Sequence, residues 1–169
     1  MNILRSLAVV VGIIALGAAC APSVKSDGTA EHKSFDLAGD ALTIISDGGN
    51  LELVTSAASR GQSDPSEVAV TRWFTAEQFG AGRAEASWSM KNDTLRLKLV
   101  CFGFTLECDQ KHRVEVPEGV QVDVRAEDGS VSAEGFAEPL DLEVYDGNIN
   151  VDDSTSPLVL MTVDGSIRG

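Results

Sequence analysis

The sequence predicts an all-β protein, read most specifically as a single-stranded β-solenoid of about 18 residues per coil with an inserted β-meander or hairpin region. Three observations predict it. Asp128-Gly129-Ser130, Asp146-Gly147-Asn148 and Asp164-Gly165-Ser166 recur at intervals of 18 residues. Their flanking apolar residues recur at the same interval and alternate with polar ones, the period of a strand with one buried face. No run keeps helical periodicity beyond two turns. The alternative is an antiparallel β-sandwich, whose short strands would have to keep one register over three copies.

Each copy holds two short strands around a turn. Val122, Leu140 and Leu158 correspond, as do Val124, Leu142 and Leu160; after the turn, Val131, Ile149 and Ile167 correspond. Pro139 pairs with Pro157 in the same way. Asp-Gly supplies the turn, because glycine accepts positive φ cheaply and the Asp carboxylate bonds nearby backbone. Stacked at the spacing of adjacent strands, about 4.8 Å, the copies would bury apolar columns that no single coil could bury alone. Leu42–Leu53 is a more distant fourth copy, with Gly49 aligned on Gly129 and Leu51 on Val131. Residues 60–116 interrupt the repeat. β-like runs at Val68–Phe74, Glu85–Met90, Thr94–Val100 and His112–Val116 predict hairpins packed on the solenoid.

Residues 1–19 read as an export signal: Arg5 precedes an apolar run from Leu7 to Ala19, and small residues lead into Cys20. Thirteen apolar residues span about 20 Å as a helix, too short for the roughly 30 Å hydrocarbon core. Leu16-Gly17-Ala18-Ala19-Cys20 resembles the lipobox of bacterial lipoproteins, with Leu16 one step earlier than the usual place. That resemblance implies a lipidated Cys20, a membrane anchor of diacylglycerol and palmitate-type acyl chains, and an extracytoplasmic location. Ala21 to Ser34 is polar and aperiodic, so residues 20–34 read as lipidated cysteine and flexible tether, leaving residues 35–169 as the folded domain. With Cys20 as the anchor, Cys101 and Cys108 remain as an even pair, read as one disulfide closing a short hairpin in an oxidising compartment.

The repeats with their lead-in, HRVEVPEGVQVDVRAEDGSV, then LDLEVYDGNINV, then VDGSIRG, resemble the bacterial putative-adhesin family. The resemblance implies a β-solenoid on an exported protein, brings no catalytic residues, and leaves the ligand open.

The chain has 169 residues and a formal net charge of −13, which argues against nucleic acid as a partner. Residues 115–169 contain 13 acids against Arg125 and Arg168, so this third alone carries −11. Asp128, Asp146 and Asp164 would form a carboxylate ladder along one edge, a candidate for a hard cation such as Ca²⁺. Carboxylates about 4.8 Å apart repel by roughly 0.9 kcal/mol in water, which one hydrogen bond to turn backbone offsets without a metal. Trp73-Phe74 and the pair Phe102 and Phe104 are candidate contact surfaces, or else caps on the core. Neither His32 nor His112 lies in a recognisable nucleophile motif. The function predicted is therefore a non-enzymatic, adhesin-like binding module with an envelope or surface macromolecule as partner. A two-carboxylate polysaccharide enzyme using Asp123 and Asp141 is the alternative, and a structural or envelope-sensing component a third. The last copy stops at Gly169, which predicts an open edge at Leu158–Ile167 available for strand addition or self-association.

Overall fold

A computed structural model describes residues 24–56, 66–78 and 81–169. The predicted signal segment, residues 1–19, and Cys20 lie outside the described residues. The described chain forms thirteen strands and no helix. In chain order they are β1 (Val24–Asp36), β2 (Ala41–Ser46), β3 (Asn50–Thr55), β4 (Glu67–Gln78), β5 (Arg83–Lys91), β6 (Thr94–Phe102) and β7 (Thr105–Val116). The repeats follow as β8 (Gln121–Asp128), β9 (Val131–Glu134), β10 (Leu140–Asp146), β11 (Ile149–Asp152), β12 (Leu158–Asp164) and β13 (Ile167–Arg168). They assemble into two mixed sheets. One has the order β1-β4-β7-β3-β9-β11-β13 and the other β12-β10-β8-β2-β6-β5.

The all-β prediction holds, with two facing sheets as in a sandwich but mixed rather than wholly antiparallel. The pairing follows the repeat. Leu140 pairs with Leu158 and with Val122, Leu142 with Leu160 and with Val124, and Ile149 with Val131 and with Ile167, all parallel. The fourth copy joins in the predicted register, Leu42 beside Val122 and Leu51 beside Val131. Both sheets turn these residues inward onto one core, in which Ile44, Leu53, Leu95, Val114, Leu142 and Ile149 are completely buried.

Glycine is obligatory where the copies turn. A Cβ on Gly129 would stand 2.2 Å from the Gly49 carbonyl oxygen, and one on Gly147 equally close to that of Gly129. Both residues have positive φ, +100° and +151°. Backbone therefore touches backbone down this corner, and the Asp-Gly recurrence in the sequence marks that contact.

The interrupting segment departs from expectation. Its four strands are present but longer than their β-like runs, and they extend the two sheets instead of packing on them. β6 pairs parallel with β2 and β7 parallel with β3, so β6–β7 acts as a further rung of the stack. β5 and β4 then close the sheets with antiparallel pairs. The β5–β6 hairpin turns on Asn92-Asp93, both at positive φ, as a two-residue hairpin turn favours.

Two further expectations are corrected. Residues 24–34 are not tether but most of β1, a thirteen-residue strand running antiparallel to β4. An edge strand needs only one backbone ladder, so its side chains can be polar on both faces and leave no apolar alternation to detect. Cys101 and Cys108 are bonded, yet they do not close a hairpin. Cys101 lies on β6 in one sheet and Cys108 on β7 in the other, and the chain crosses between sheets at Gly103. The bond therefore ties the two sheets together.

Candidate binding face

The outer surface of the β1–β13 sheet forms an open cleft of about 750 Å³ bounded by β7, β3, β9, β11 and β13. Its floor is set by register. His32, Thr71, Arg113, Glu52, Ser132, Asn150 and Arg168 follow one another across all seven strands. A second row beside it is locked by side-chain amides. Asn50 Oδ1 accepts the Ser130 backbone N–H at 3.1 Å, and Asn148 Oδ1 accepts both the N–H and the hydroxyl of Ser166, at 3.0 and 2.6 Å. One repeat thus ties its outward polar residue to that of a neighbouring repeat.

The charges in the cleft stand at its two sides, Glu52 and Lys111 at the β7–β3 side and Arg168 on β13. Glu52 accepts from Lys111 Nζ at 2.9 Å and is ion-paired with Arg113. Partial burial pushes the Glu52 carboxyl up, but the Lys111 hydrogen bond and the Arg113 charge outweigh it and hold it below the ordinary carboxylate range. Lys111 also stands 5.6 Å from the half-buried Trp73 ring, placing an aromatic at the β4 end of the face. The middle of the cleft is neutral, made of Ser130, Ser132, Asn148 and Asn150. Such a surface presents hydroxyl and amide groups at strand spacing to a ligand that exchanges hydrogen bonds with them. Sequence reading missed this face. Its signal was present in the polar residue after each glycine, Asn50, Ser130, Asn148 and Ser166, at the same interval as the apolar columns.

The predicted site residues fall elsewhere. Asp128 pairs with Asp146, and Asp146 with Asp164, so the carboxylate ladder exists in register and is solvent-exposed. Among the described residues, however, no three acidic, imidazole or thiol groups converge closely enough to hold a metal ion. Asp123 neighbours Asp141 on the outer face of the other sheet, where Asp123 is ion-paired to Arg125 at 3.4 Å. Trp73 and Phe74 are half-buried, whereas Phe102 and Phe104 do not cap the core and point into solvent, 70% and 78% exposed.

A buried polar group lies where the stack meets the antiparallel strands. His112 and Gln110 on β7 are almost wholly buried, with Arg72 beside them on β4. Gln110 donates from Nε2 to the Gly48 carbonyl at 2.7 Å. The Arg72 guanidinium donates to the Ala86 carbonyl and to Glu31 and lies over the Trp88 ring at 4.4 Å. Burial, aided by the Arg72 charge, pushes the His112 imidazole down to about 4, so it is neutral at physiological pH.

No protein-family model matches the sequence, and no curated protein matches it. Among solved structures the chain is similar to a putative cell adhesion protein from Clostridium sporogenes, at 8% identity and a TM-score of 0.43, covering 83% of this chain and 98% of that one. It is also similar to a putative adhesin from Parabacteroides merdae, at 13% identity and a TM-score of 0.27 over 77% of this chain and 55% of that one. A putative adhesin from Bacteroides fragilis follows at 11% identity and a TM-score of 0.25, over 83% and 96%.

Proposed function

We propose that this chain is a lipid-anchored, extracytoplasmic β-solenoid that acts as a non-enzymatic, adhesin-like binding module on the outer side of a bacterial cell membrane. The observation that carries the binding role is the seven-strand polar row with a cleft whose middle is neutral, which fits a hydroxyl- or amide-rich envelope or surface macromolecule. The in-register pairing of four copies supports the solenoid reading. Arg5, the apolar run and Cys20 support export and acylation. Two or three acyl chains would hold the protein firmly, since one alone binds only marginally.

Crosslinking of the intact anchored protein in its native envelope tests the binding role. Ser132→Arg with Asn150→Arg is expected to abolish capture of the ligand while leaving the fold intact, because both side chains are on the outer face. Capture unchanged by this pair overturns the assignment of the face. Cys20→Ala is expected to move the protein from the membrane fraction to the soluble fraction. Replacing Asp123 and Asp141 together by Asn is expected to leave glycan turnover untouched; its loss would favour the enzymatic alternative. Among the described residues Leu158–Asp164 is paired on one side only, with β10, which supports self-association through the C-terminal edge.

A further inference from the structure

The end of the molecule at which β6 leaves one sheet and β7 enters the other carries an apolar tip. Between residues 100 and 106, Val100, Phe102, Phe104 and Leu106 are all exposed, the last three by 70% or more. Isolated exposed apolar residues are ordinary on a protein surface; four within seven positions are not. The Cys101–Cys108 bond brackets the segment and keeps these side chains from folding back. The tip also projects. Leu97 is level with Ser46 and with the corner at Asp47, whose N–H bonds the Leu97 carbonyl, and β6 continues five residues beyond. At the rise of a strand that is roughly 16 Å, so the acidic Asp-Gly corners are set back from the tip.

The start of β1 lies at the same end. β1 runs antiparallel to β4, and its first residue, Val24, pairs with Gln78, which pairs in turn with Thr105. Val24 is thus two strand spacings, about 10 Å, from the tip backbone. Cys20 precedes it by four residues, a reach of at most about 14 Å. An acylated Cys20 would hold this end, and no other, against the bilayer.

We infer that the Phe102–Leu106 tip inserts into the membrane interface beside the lipid anchor and fixes the orientation of the domain. The inference rests on the anchoring proposed above. Its driving force is apolar. Lys98 lies two residues behind Val100 on the same strand face, but Glu107 and Asp109 on β7 outweigh it, and Arg83 beside Phe102 is ion-paired with Glu85. Insertion therefore needs no anionic lipid and resists salt. With the tip immersed, the strands that end there stand steeply to the membrane, and the polar cleft faces sideways, clear of the lipid.

The test uses the full acylated chain in phosphatidylcholine vesicles, with Phe104→Trp as the probe and Gln121→Trp, exposed at the opposite end, as reference. Lipids brominated near the ester carbonyl are expected to quench the residue at 104, with a blue shift, and to leave the one at 121 unchanged. The same result is expected in high salt. Quenching at 104 by aqueous acrylamide alone overturns the inference. Shielding at 104 from both quenchers places the tip against protein, either its own chain or a second copy, and overturns it equally. The mass of the Cys20 peptide reads the anchor separately: an unmodified cysteine overturns the lipoprotein reading, whereas an acylated chain unquenched at 104 overturns only the tip.

Discussion

The two ends of the strand stack terminate the same column in opposite ways. Along one sheet the inward positions run Ile167, Ile149, Val131, Leu51, His112 and Arg72. At the β13 end the column stops at an exposed isoleucine; at the β4 end it passes through a buried imidazole into a buried guanidinium. The closed end spends its polar groups on stopping the stack. Beyond Arg72, β1 presents Glu31 and Lys33, and beyond β6 the edge strand β5 presents Arg83, Glu85 and Lys91. Charged edges of this kind discourage further strand pairing. At the open end, among the described residues, β13 presents Arg168 but β12 has no such device. Residues Leu158–Val163 carry no charge, and apolar side chains occupy both faces of β12. That composition belongs to a central strand, yet β12 has a neighbour on one side only.

Core truncation should separate middle from end most strongly. Leu142→Ala removes a completely buried side chain with parallel neighbours on both sides, and is expected to cost about 2–5 kcal/mol in chemical denaturation. Leu160→Ala, one repeat further and only partly buried, should cost under about 1.5 kcal/mol. Equal losses would mean that the last repeat is covered in solution and that the ends are not as different as they look.

Acid should act most strongly at the closed end, beyond the smaller loss from protonating Glu52. The folded His112 imidazole titrates near 4, below the ordinary value of about 6.5, so the unfolded chain takes up its proton first as pH falls. The stability gained by keeping it neutral is complete above about pH 6.5 and is lost progressively towards pH 4, on the order of 3 kcal/mol in all. His112→Leu should flatten that slope, as measured by urea unfolding at successive pH values. A slope of unchanged steepness in the variant would place the titrating group elsewhere.

Reduction should also act at the closed end, more gently. The Cys101–Cys108 bond closes a loop of about eight residues, for which chain entropy gives roughly 2.5 kcal/mol. Cys101→Ser with Cys108→Ser should lower stability by about that amount while leaving the parallel registers of β8–β13 intact, which amide hydrogen exchange resolves repeat by repeat.

The legibility of the sequence follows the same division. A parallel in-register stack must repeat its side chains at a constant interval, because each position sits on its counterpart, and so Val122, Leu140 and Leu158 announced their own pairing. The glycine corner was legible for the same reason. The antiparallel strands obey no such constraint. β4 and β7 could be recognised as strands, but nothing in either one states that β7 is parallel to β3 and antiparallel to β4. β1 was hidden because its partners are backbone groups and its few side-chain contacts, such as His32 with Thr71 at 3.0 Å and Glu31 with Arg72 at 2.6 Å, lie with residues that no local pattern links to it. The disulfide pair was found by counting, but its role in joining two sheets depends on which side of Gly103 each strand turns to. The polar cleft carries no carboxylate signature, since along its middle run uncharged residues, among them Asn50, Ser130, Asn148 and Ser166, each following a glycine.

The smallest effect is expected at the open edge, where association competes with the entropy of bringing two chains together. The charged edges of β1 and β5 block head-to-tail addition, so two copies meeting through β12 and β13 form a closed pair rather than a filament. A two-fold axis normal to the sheets lets both sheets continue across the contact, with β12 antiparallel to its copy, and covers Leu158 and Ile167 from solvent. Met161 lies at the middle of β12 and is half-exposed on its outer face. Met161→Lys would set two like charges near that axis and remove apolar contact, and should weaken self-association by about 1 kcal/mol, several-fold in the dimer constant. Sedimentation velocity over a wide concentration range reads it directly. A wild-type chain that stays monomeric throughout would show that edge exposure alone does not drive pairing here. A variant that associates as strongly as the wild type would move the contact away from β12.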